Sequence, residues 1–487
     1  MKKSLVKNSL YNIVYKLVSV VYPLVAVTYV SHILMSNNMG IVSYSQNIVS
    51  YFAVFAALGI PTYGVKGTAI RSKEKSERSQ FFWELFTINF ISTTLAISAY
   101  IILIFNITKF HNYLTLYLVA GLQILFNYLN VDWFYQGLEE YEYIAKRSII
   151  VKLLALIALP IFIHTPDDYI WYAMIYCLAI GGNNIFNIIK IRQYIQKPTQ
   201  KIQIKKHLKP ISTLLIVSVA VEIYVMIDTT MLGIFTNDSV VGCYSNAMKL
   251  IRMVSAMAAA IGAVLFPRLS IVFNKKDEKN FSNLINTGLK IMLMIAFPIM
   301  IGLIVCSHDI ILILFGSSFA DAIPILRILA IMTPVIVCNT LMGGQVLVTT
   351  NQENKYVLTV VIASVVNIIL NALLIPKYGA TSAAFASLIS ECIDLTLYTL
   401  FAKKYVKLKF SMNYLLSMII PLIIYVLISK FIIAKIFVNM YYSLCANIII
   451  CGCIYFGIGY IMKNEAIIFS LNKIKELFNQ KNTIKES

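Results

Sequence analysis

Charge is scarce in this chain. Only 13% of its 487 residues are Asp, Glu, Lys or Arg, against about 25% in an average soluble domain. That shortage, with a mean hydropathy of +0.77, excludes a soluble globular protein and makes the outer surface apolar as well as the core. Cysteine is sparse and solitary. Cys177, Cys306 and Cys392 fall singly in apolar runs, and Cys451 and Cys453 are too close for an ordinary disulfide. They read as small membrane-buried side chains, not as metal ligands. The alternation of a membrane β-strand over about ten residues is missing, which leaves helices as the spanning element. Neither G-x-x-x-x-G-K-[ST] nor H-E-x-x-H occurs, so the chain shows no phosphate loop of an ATP motor and no zinc-protease helix. The opening "MKKSLVKNSLYNIVYKLVSVV" lacks the clean apolar stretch and A-x-A-like site of a cleaved leader. Asn12, Tyr15 and Lys16 interrupt it, and it reads as a retained first membrane helix.

Long apolar runs are what the chain does have. A spanning helix needs about 20 mostly apolar residues, and about fourteen candidates are found. They fall at 9–35, 40–65, 80–106, 112–137, 143–164, 168–190, 210–235, 239–266, 283–307, 322–349, 355–376, 379–402, 412–433 and 440–462. Basic residues concentrate in alternate connections. Lys2, Lys3, Lys66, Arg71, Lys146, Arg147, Lys190, Arg192, Arg268, Lys275, Lys403 and Lys463 mark one side; the other has little beyond Lys109, Lys377 and Lys435. By the positive-inside rule the first side is cytoplasmic, and an even number of spans puts both termini there. Most of the +19 net charge is therefore a topology signal spread over short loops, which argues against nucleic-acid binding and for attraction to anionic membrane lipid.

Residues 36–46, "SNNMGIVSYSQ", recur in weaker form at 236–246, "TNDSVVGCYSN". Each is the expected turn between a first and a second helix, and each following helix leads to a charged loop, "RSKEKSER" or "NKKDEKN". The alternative is chance similarity in apolar, low-complexity sequence. The repeat reading gives an all-α polytopic membrane protein: two six-helix lobes related by a parallel pseudo-twofold repeat, plus two accessory helices. The lobes are 1–190 and 210–402, joined by a cytoplasmic loop at 191–209. The accessory helices lie in 403–462, and the tail, 463–487, is open between an amphipathic surface helix and a frayed end.

Polar residues share helix faces in many of the spans, at steps of three or four. Examples are Asn12, Lys16 and Ser19; Ser43, Asn47 and Ser50; Gln123, Asn127 and Asn130; Asn183 and Asn187; Asn246, Lys249 and Arg252; and Ser387, Glu391 and Asp394. The fifth and ninth spans lack such a stripe. Any single Asn suits glue between helices, but stripes on so many spans point to a wet central cavity. Lys249 and Arg252 stand out, inside "CYSNAMKLIRMVSAMAAAIGAVLF" at 243–266. A cation at a helix centre costs about 2.5–3.5 kcal/mol on insertion scales. Lys249 lies about 15 Å deep at 1.5 Å per residue, near the midplane of a core about 30 Å thick. Glu222 reaches a similar depth from the opposite side. A structural ion-pair network and an anion site lined by Lys249, Arg252 and Lys16 both remain open. Asn246, Asn47, Asn127, Asn130 and Asn183 are the accompanying polar candidates. No catalytic residue and no metal ligand is expected, and Asp167-Asp168 reads as a solvated turn.

"LNVDWFYQGLEEYEYIAKR" at 129–147 resembles the signature of Wzx-type polysaccharide flippases. These are polysaccharide transporters of the multidrug/oligosaccharidyl-lipid/polysaccharide exporter superfamily, the MATE/MOP exporters. Segments 314–330, "LFGSSFADAIPILRILA", and 354–391, "NKYVLTVVIASVVNIILNALLIPKYGATSAAFASLISE", are similar to family segments too. The run Asp132, Trp133, Phe134, Tyr135, Gln136, Gly137 is the most specific part. The resemblance implies flipping of an undecaprenyl-pyrophosphate-linked oligosaccharide from the inner to the outer leaflet of a bacterial cytoplasmic membrane, with a polysaccharide polymerase and glycosyltransferases as working partners. No cofactor is implied. Proton or sodium coupling through Glu222, Asp228, Glu391 and Asp394 is a further expectation, since carboxylates inside membranes often carry that role. The rival readings are a drug or cation antiporter, whose cavity would be dominated by acids and aromatics, and a flippase for the lipid-linked peptidoglycan precursor. A membrane glycosyltransferase would want a large loop with clustered acids or Arg, which this chain does not have.

Overall fold

The computed structural model describes residues 5–198 and 200–472, with their side chains except at 5–10, 12–14, 16–17, 20 and 258–267. Among the described residues all regular structure is helical. A chain this apolar must satisfy its backbone groups internally, and a helix does so within one segment. Nine segments among the described residues are long and apolar enough to cross a membrane, two of them 50 residues long. The chain divides into two compact units, Met1–Gly242 and Cys243–Ser487.

The first unit holds α1 (Leu5–Ala57), α2 (Ile60–Ile70), α3 (Lys75–Asn106), α4 (Thr108–His111), α5 (Leu114–Leu125) and α6 (Asp132–Gly137). It continues with α7 (Tyr141–Phe162), α8 (Tyr169–Gly181), α9 (Ile185–Ile191) and α10 (Lys205–Phe235). Helix α1 is its axis and packs on α3, α5, α7 and α10. The short α2 packs on α6 over an aromatic core built on Phe81, Phe82, Trp133, Phe134 and Tyr135. Helix α11 (Asp238–Asn274) runs from the end of the first unit into the second. There follow α12 (Glu278–Val305), α13 (Ser307–Phe315), α14 (Ala322–Leu341), α15 (Glu353–Ala402), α16 (Met412–Ile428), α17 (Ala434–Ile436) and α18 (Met440–Ile461). Helices α12, α14 and α15 pack in sequence, and α16 pairs with α18.

The expected spans are corrected in detail. The first two meet without a loop: α1 comprises two helices joined across the non-helical Met35 (φ 59, ψ 178), and residues 36–46 are helical instead of a turn. The eleventh and twelfth spans likewise meet across Gly379 (φ 61, ψ −140), as the two helices of α15. A one-residue kink lets helical bonding resume at once, whereas a loop would leave more of the backbone to be satisfied elsewhere. The fourth span is not continuous. Helix α5 gives way to a 3₁₀ turn at Phe126–Leu129, and α6 begins only at Asp132. The Asn130 side chain accepts a bond from the Asp132 backbone N–H at 3.4 Å, the local competition that unwinds helices at Asn. Of the tail, 465–472 is helical and the rest lies outside the described residues.

Residues of 36–46 and of the similar stretch beginning at 236 meet inside the first unit. Ser36 and Ser239 share a hydroxyl hydrogen bond of 2.7 Å. A Cβ on Gly40 would stand 1.7 Å from the carbonyl oxygen of Asp238, and one on Gly242 2.0 Å from that of Ser36. Glycine is required at both positions because backbone meets backbone there.

Candidate functional site

The interruptions in α5 and between α8 and α9 fall on the same cavity. Its volume is about 320 Å³. Tyr15 and Ser50 of α1 line it, with Gln123 of α5, Asn127 and Asn130 of the following turn, and Asp132 at the start of α6. Asn183 and Asn184 join from the 3₁₀ turn between α8 and α9, and Glu222 from α10. Irregular backbone at membrane depth is tolerated where it borders a cavity. The same Asn and Gly residues that unwind the two helices are therefore those that make the chamber polar.

Asp132 is the electrostatic centre of the wall. Its Oδ1 pairs with the Arg147 guanidinium and accepts from Asn187 Nδ2 at 2.9 Å. Arg147 also donates to Asn187 Oδ1 and, at 3.3 Å, to the Asn183 carbonyl. Its guanidinium stands 5.2 Å from the Tyr143 ring and 5.8 Å from that of Tyr135. Arg147 is buried, so this residue, expected among the loop cations, is an interior one. The rest of the signature run is scaffold. Trp133, Phe134 and Tyr135 are buried in the aromatic core, and a Cβ on Gly137 would lie 2.8 Å from the Val65 carbonyl of α2. Gln136 is half-buried.

The amides divide into those that line the chamber and those that only fasten helices. Asn127 donates to Asn89 Oδ1 at 3.0 Å and Thr93 Oγ1 at 2.8 Å, which fixes α3 against the turn. Asn130 donates weakly to Asn127 at 3.4 Å. Asn183 is only 8% exposed, and its Oδ1 has no hydrogen-bond partner. Asn47 lies elsewhere: it donates to Met226 O at 3.0 Å and Thr230 Oγ1 at 3.1 Å, and so fastens α1 to α10.

The other expected residues are distributed as follows. Asn246 is fully buried, Lys249 half-buried and Arg252 exposed, all on α11 in the second unit. The Lys16 side chain lies outside the described residues. Asp228 is buried on α10. Glu391 accepts from Asn339 Nδ2 at 2.7 Å, and Asp394, one turn on, is buried. Asp168 caps its turn by accepting from the Thr165 backbone N–H at 2.8 Å.

Two features escape a stripe search. One is Lys152, alone among apolar residues in a span without an Asn stripe. The other is Glu84, buried on α3, which accepts from Lys206 at 2.9 Å and lies 2.8 Å from His207 Nε2. Tyr63 holds the other ring nitrogen of His207 at 2.9 Å. That cluster locks the first turn of α10 onto α2 and α3.

A family model described as polysaccharide biosynthesis protein matches residues 5–273, and a second, MatE, matches 214–373. A Haloferax volcanii relative named as a low-salt glycan biosynthesis flippase, Agl15, is 27% identical over 224 residues, or 46% of this chain. That match spans about half of the relative, 47% of its length. A relative from Escherichia coli (strain K12), named as an O-antigen transporter, is 20% identical over 80% of this chain and 95% of its own length. Among solved structures, the lipid II flippase MurJ in an inward closed conformation superposes with a TM-score of 0.72 at 18% identity. It covers 94% of this chain and 99% of its own. An inward-facing multidrug resistance MATE family transporter of the MOP superfamily gives 0.62 at 12% identity, over 79% and 93%. At such identities the likeness is one of fold.

Proposed function

The chain belongs to the polysaccharide biosynthesis protein family, and from that premise we propose that it is a flippase for undecaprenyl-pyrophosphate-linked oligosaccharides. It carries them from the inner to the outer leaflet of a bacterial cytoplasmic membrane, in which both termini are cytoplasmic. The observation that carries this reading is the polar chamber among membrane-crossing helices, walled by amides. Sugar hydroxyls pair with amides, while a polyprenyl tail is content in lipid. The pyrophosphate calls for cations, and Lys249 and Arg252 of α11 are the candidates: Arg grips phosphate through its planar fork, and Lys adds a mobile charge. Alternating access, by rocking one lobe against the other, moves the chamber from one leaflet to the other. Glu222, Asp228, Glu391 and Asp394 are the candidates for coupling to protons or sodium. A polymerase and glycosyltransferases act before and after this step.

The test is transfer of a fluorescent lipid-linked oligosaccharide between leaflets of proteoliposomes holding the full chain. Lys249→Gln and Arg252→Gln should each slow transfer by about tenfold or more, the loss of one charge-assisted contact. Normal transfer in both variants removes the role given to these cations. Failure of the unaltered protein to move the lipid, with insertion verified, removes the flippase reading.

A cation antiporter is the second reading. It is favoured by the MatE match and by the two carboxylates, Asp132 and Glu222, on the chamber wall. Against it, Asp132 is already neutralised by Arg147. Export of a cationic dye by the same proteoliposomes, with no lipid transfer, would favour it.

A further inference from the structure

Helix α7 turns one face inward, and Ser148, Ala155 and Leu159 on that face are buried. Lys152 occupies the same face at helical spacing and is half-buried. Its ammonium donates to Ser19 Oγ at 2.7 Å and stands 5.6 Å from the centre of the Tyr15 ring. Ser19 in turn donates to the Tyr15 carbonyl at 2.8 Å. Tyr15 belongs to the chamber wall. The ammonium is thus one aromatic ring away from the polar cavity.

Some cations of the first unit rest on carboxylates. Arg147 rests on Asp132, Lys190 on Glu140 and Lys206 on Glu84. Among the described residues no carboxylate pairs with Lys152. With 143–164 read as a spanning segment from the sequence, Lys152 is a cation at its middle without a counter-charge, which is costly, and intramembrane ionisable residues of this kind mark ligand paths. The chamber wall itself carries two acids, of which Asp132 is paired with Arg147, and, among the described residues, no cation. A pyrophosphate entering it finds no positive charge on the wall unless one follows it in. Lysine suits that task because its ammonium is a point charge on a flexible four-carbon stem.

We infer that Lys152 is the cation with which the first unit engages the phosphate of a lipid-linked substrate, held in waiting by Ser19 and the face of Tyr15. The inference rests on the flippase reading and adds a phosphate contact separate from Lys249 and Arg252. Binding needs only the ammonium to swing from the Ser19 hydroxyl to a phosphate oxygen.

The experiment is binding of three probes to the full chain in nanodiscs: polyprenyl pyrophosphate, the uncharged polyprenol, and inorganic pyrophosphate. Lys152→Met is the main variant and Lys152→Arg the conservative one. Lys152→Met should bind polyprenyl pyrophosphate about tenfold or more weakly, with polyprenol binding unchanged. Lys152→Arg should restore most of the affinity. Because a neutral side chain of similar shape replaces an uncompensated charge, Lys152→Met should melt no lower than the unaltered protein. Unchanged pyrophosphate binding in Lys152→Met, or a lowered melting temperature with binding intact, overturns the inference and makes Lys152 structural. Displacement of the lipid by equimolar inorganic pyrophosphate overturns the lipid-linked assignment in favour of a soluble anion. If the unaltered protein binds neither lipid-linked glycan nor polyprenyl pyrophosphate, it is the flippase reading that fails first.

Discussion

At the scale of single residues, small side chains and lone charges decide more than the abundant Leu and Ile. Gly40 and Gly242 let the start of α11 lie directly on α1, with carbonyl oxygens where any Cβ would have to be. Gly40→Ala should therefore cost about 1–3 kcal/mol, the usual range for overpacking, read as earlier thermal unfolding in detergent. Gly302, which has open space around it, serves as the control and should tolerate Ala without loss. The lone charges follow the same local logic. Asp132 was singled out by its motif, but its buried partner Arg147 sits fifteen positions on, next to Lys146, at what reads as the cytoplasmic end of the fifth span. Sequence shows that a cation is present; only packing shows that one of two adjacent cations turns inward. Lys152 was legible in principle, since it stands four residues after Ser148 on one face, yet a search for amide stripes passes over a single lysine.

At the scale of elements, the breaks matter as much as the helices. Met35 and Gly379 both adopt positive φ inside long helical segments. Gly379 takes this conformation at little cost, while Met35 holds a conformation that usually costs a non-glycine residue about 1–3 kcal/mol. Gly379→Ala should destabilise by an amount in that range although nothing stands near its Cβ position. Met35→Gly should relieve strain and partly offset it through greater unfolded-state freedom. Thermal unfolding of both variants checks the pair, and a neutral Gly379→Ala would show that the backbone there can rotate away. The interruptions after Leu125 and Gly181 carry a different meaning. Both occur where Asn residues gather, and both border the chamber. The spans containing them were found from apolar length, but the unwinding was not, because hydropathy averages over the few polar residues that cause it.

At the scale of the whole molecule, the distribution of basic residues makes a prediction that the fold alone does not. Segments 191–204 and 308–321 should lie on opposite sides of the membrane, the first in the cytoplasm. Cysteine or epitope tags in the two segments, probed with a membrane-impermeant reagent on intact cells, should react only in the second. Reaction in the first would reverse the direction of transport proposed above.

The amino-acid sequence was sufficient for the helical class, the membrane setting and the family, because these depend on properties that add along the chain: apolar length, charge bias and a contiguous signature. It also located several residues of the chamber, Asn127, Asn130 and Asn183 among them, since helical spacing exposes a shared face. Tertiary structure alone decided which polar residues only fasten helices and which border the chamber. Asn47 and Asn183 are the same residue type in similar stripes, each with a buried Oδ1 that has no partner, yet Asn47 fastens α1 to α10 and Asn183 borders the chamber. That difference comes from partners many residues away, and no local pattern encodes the distance between them.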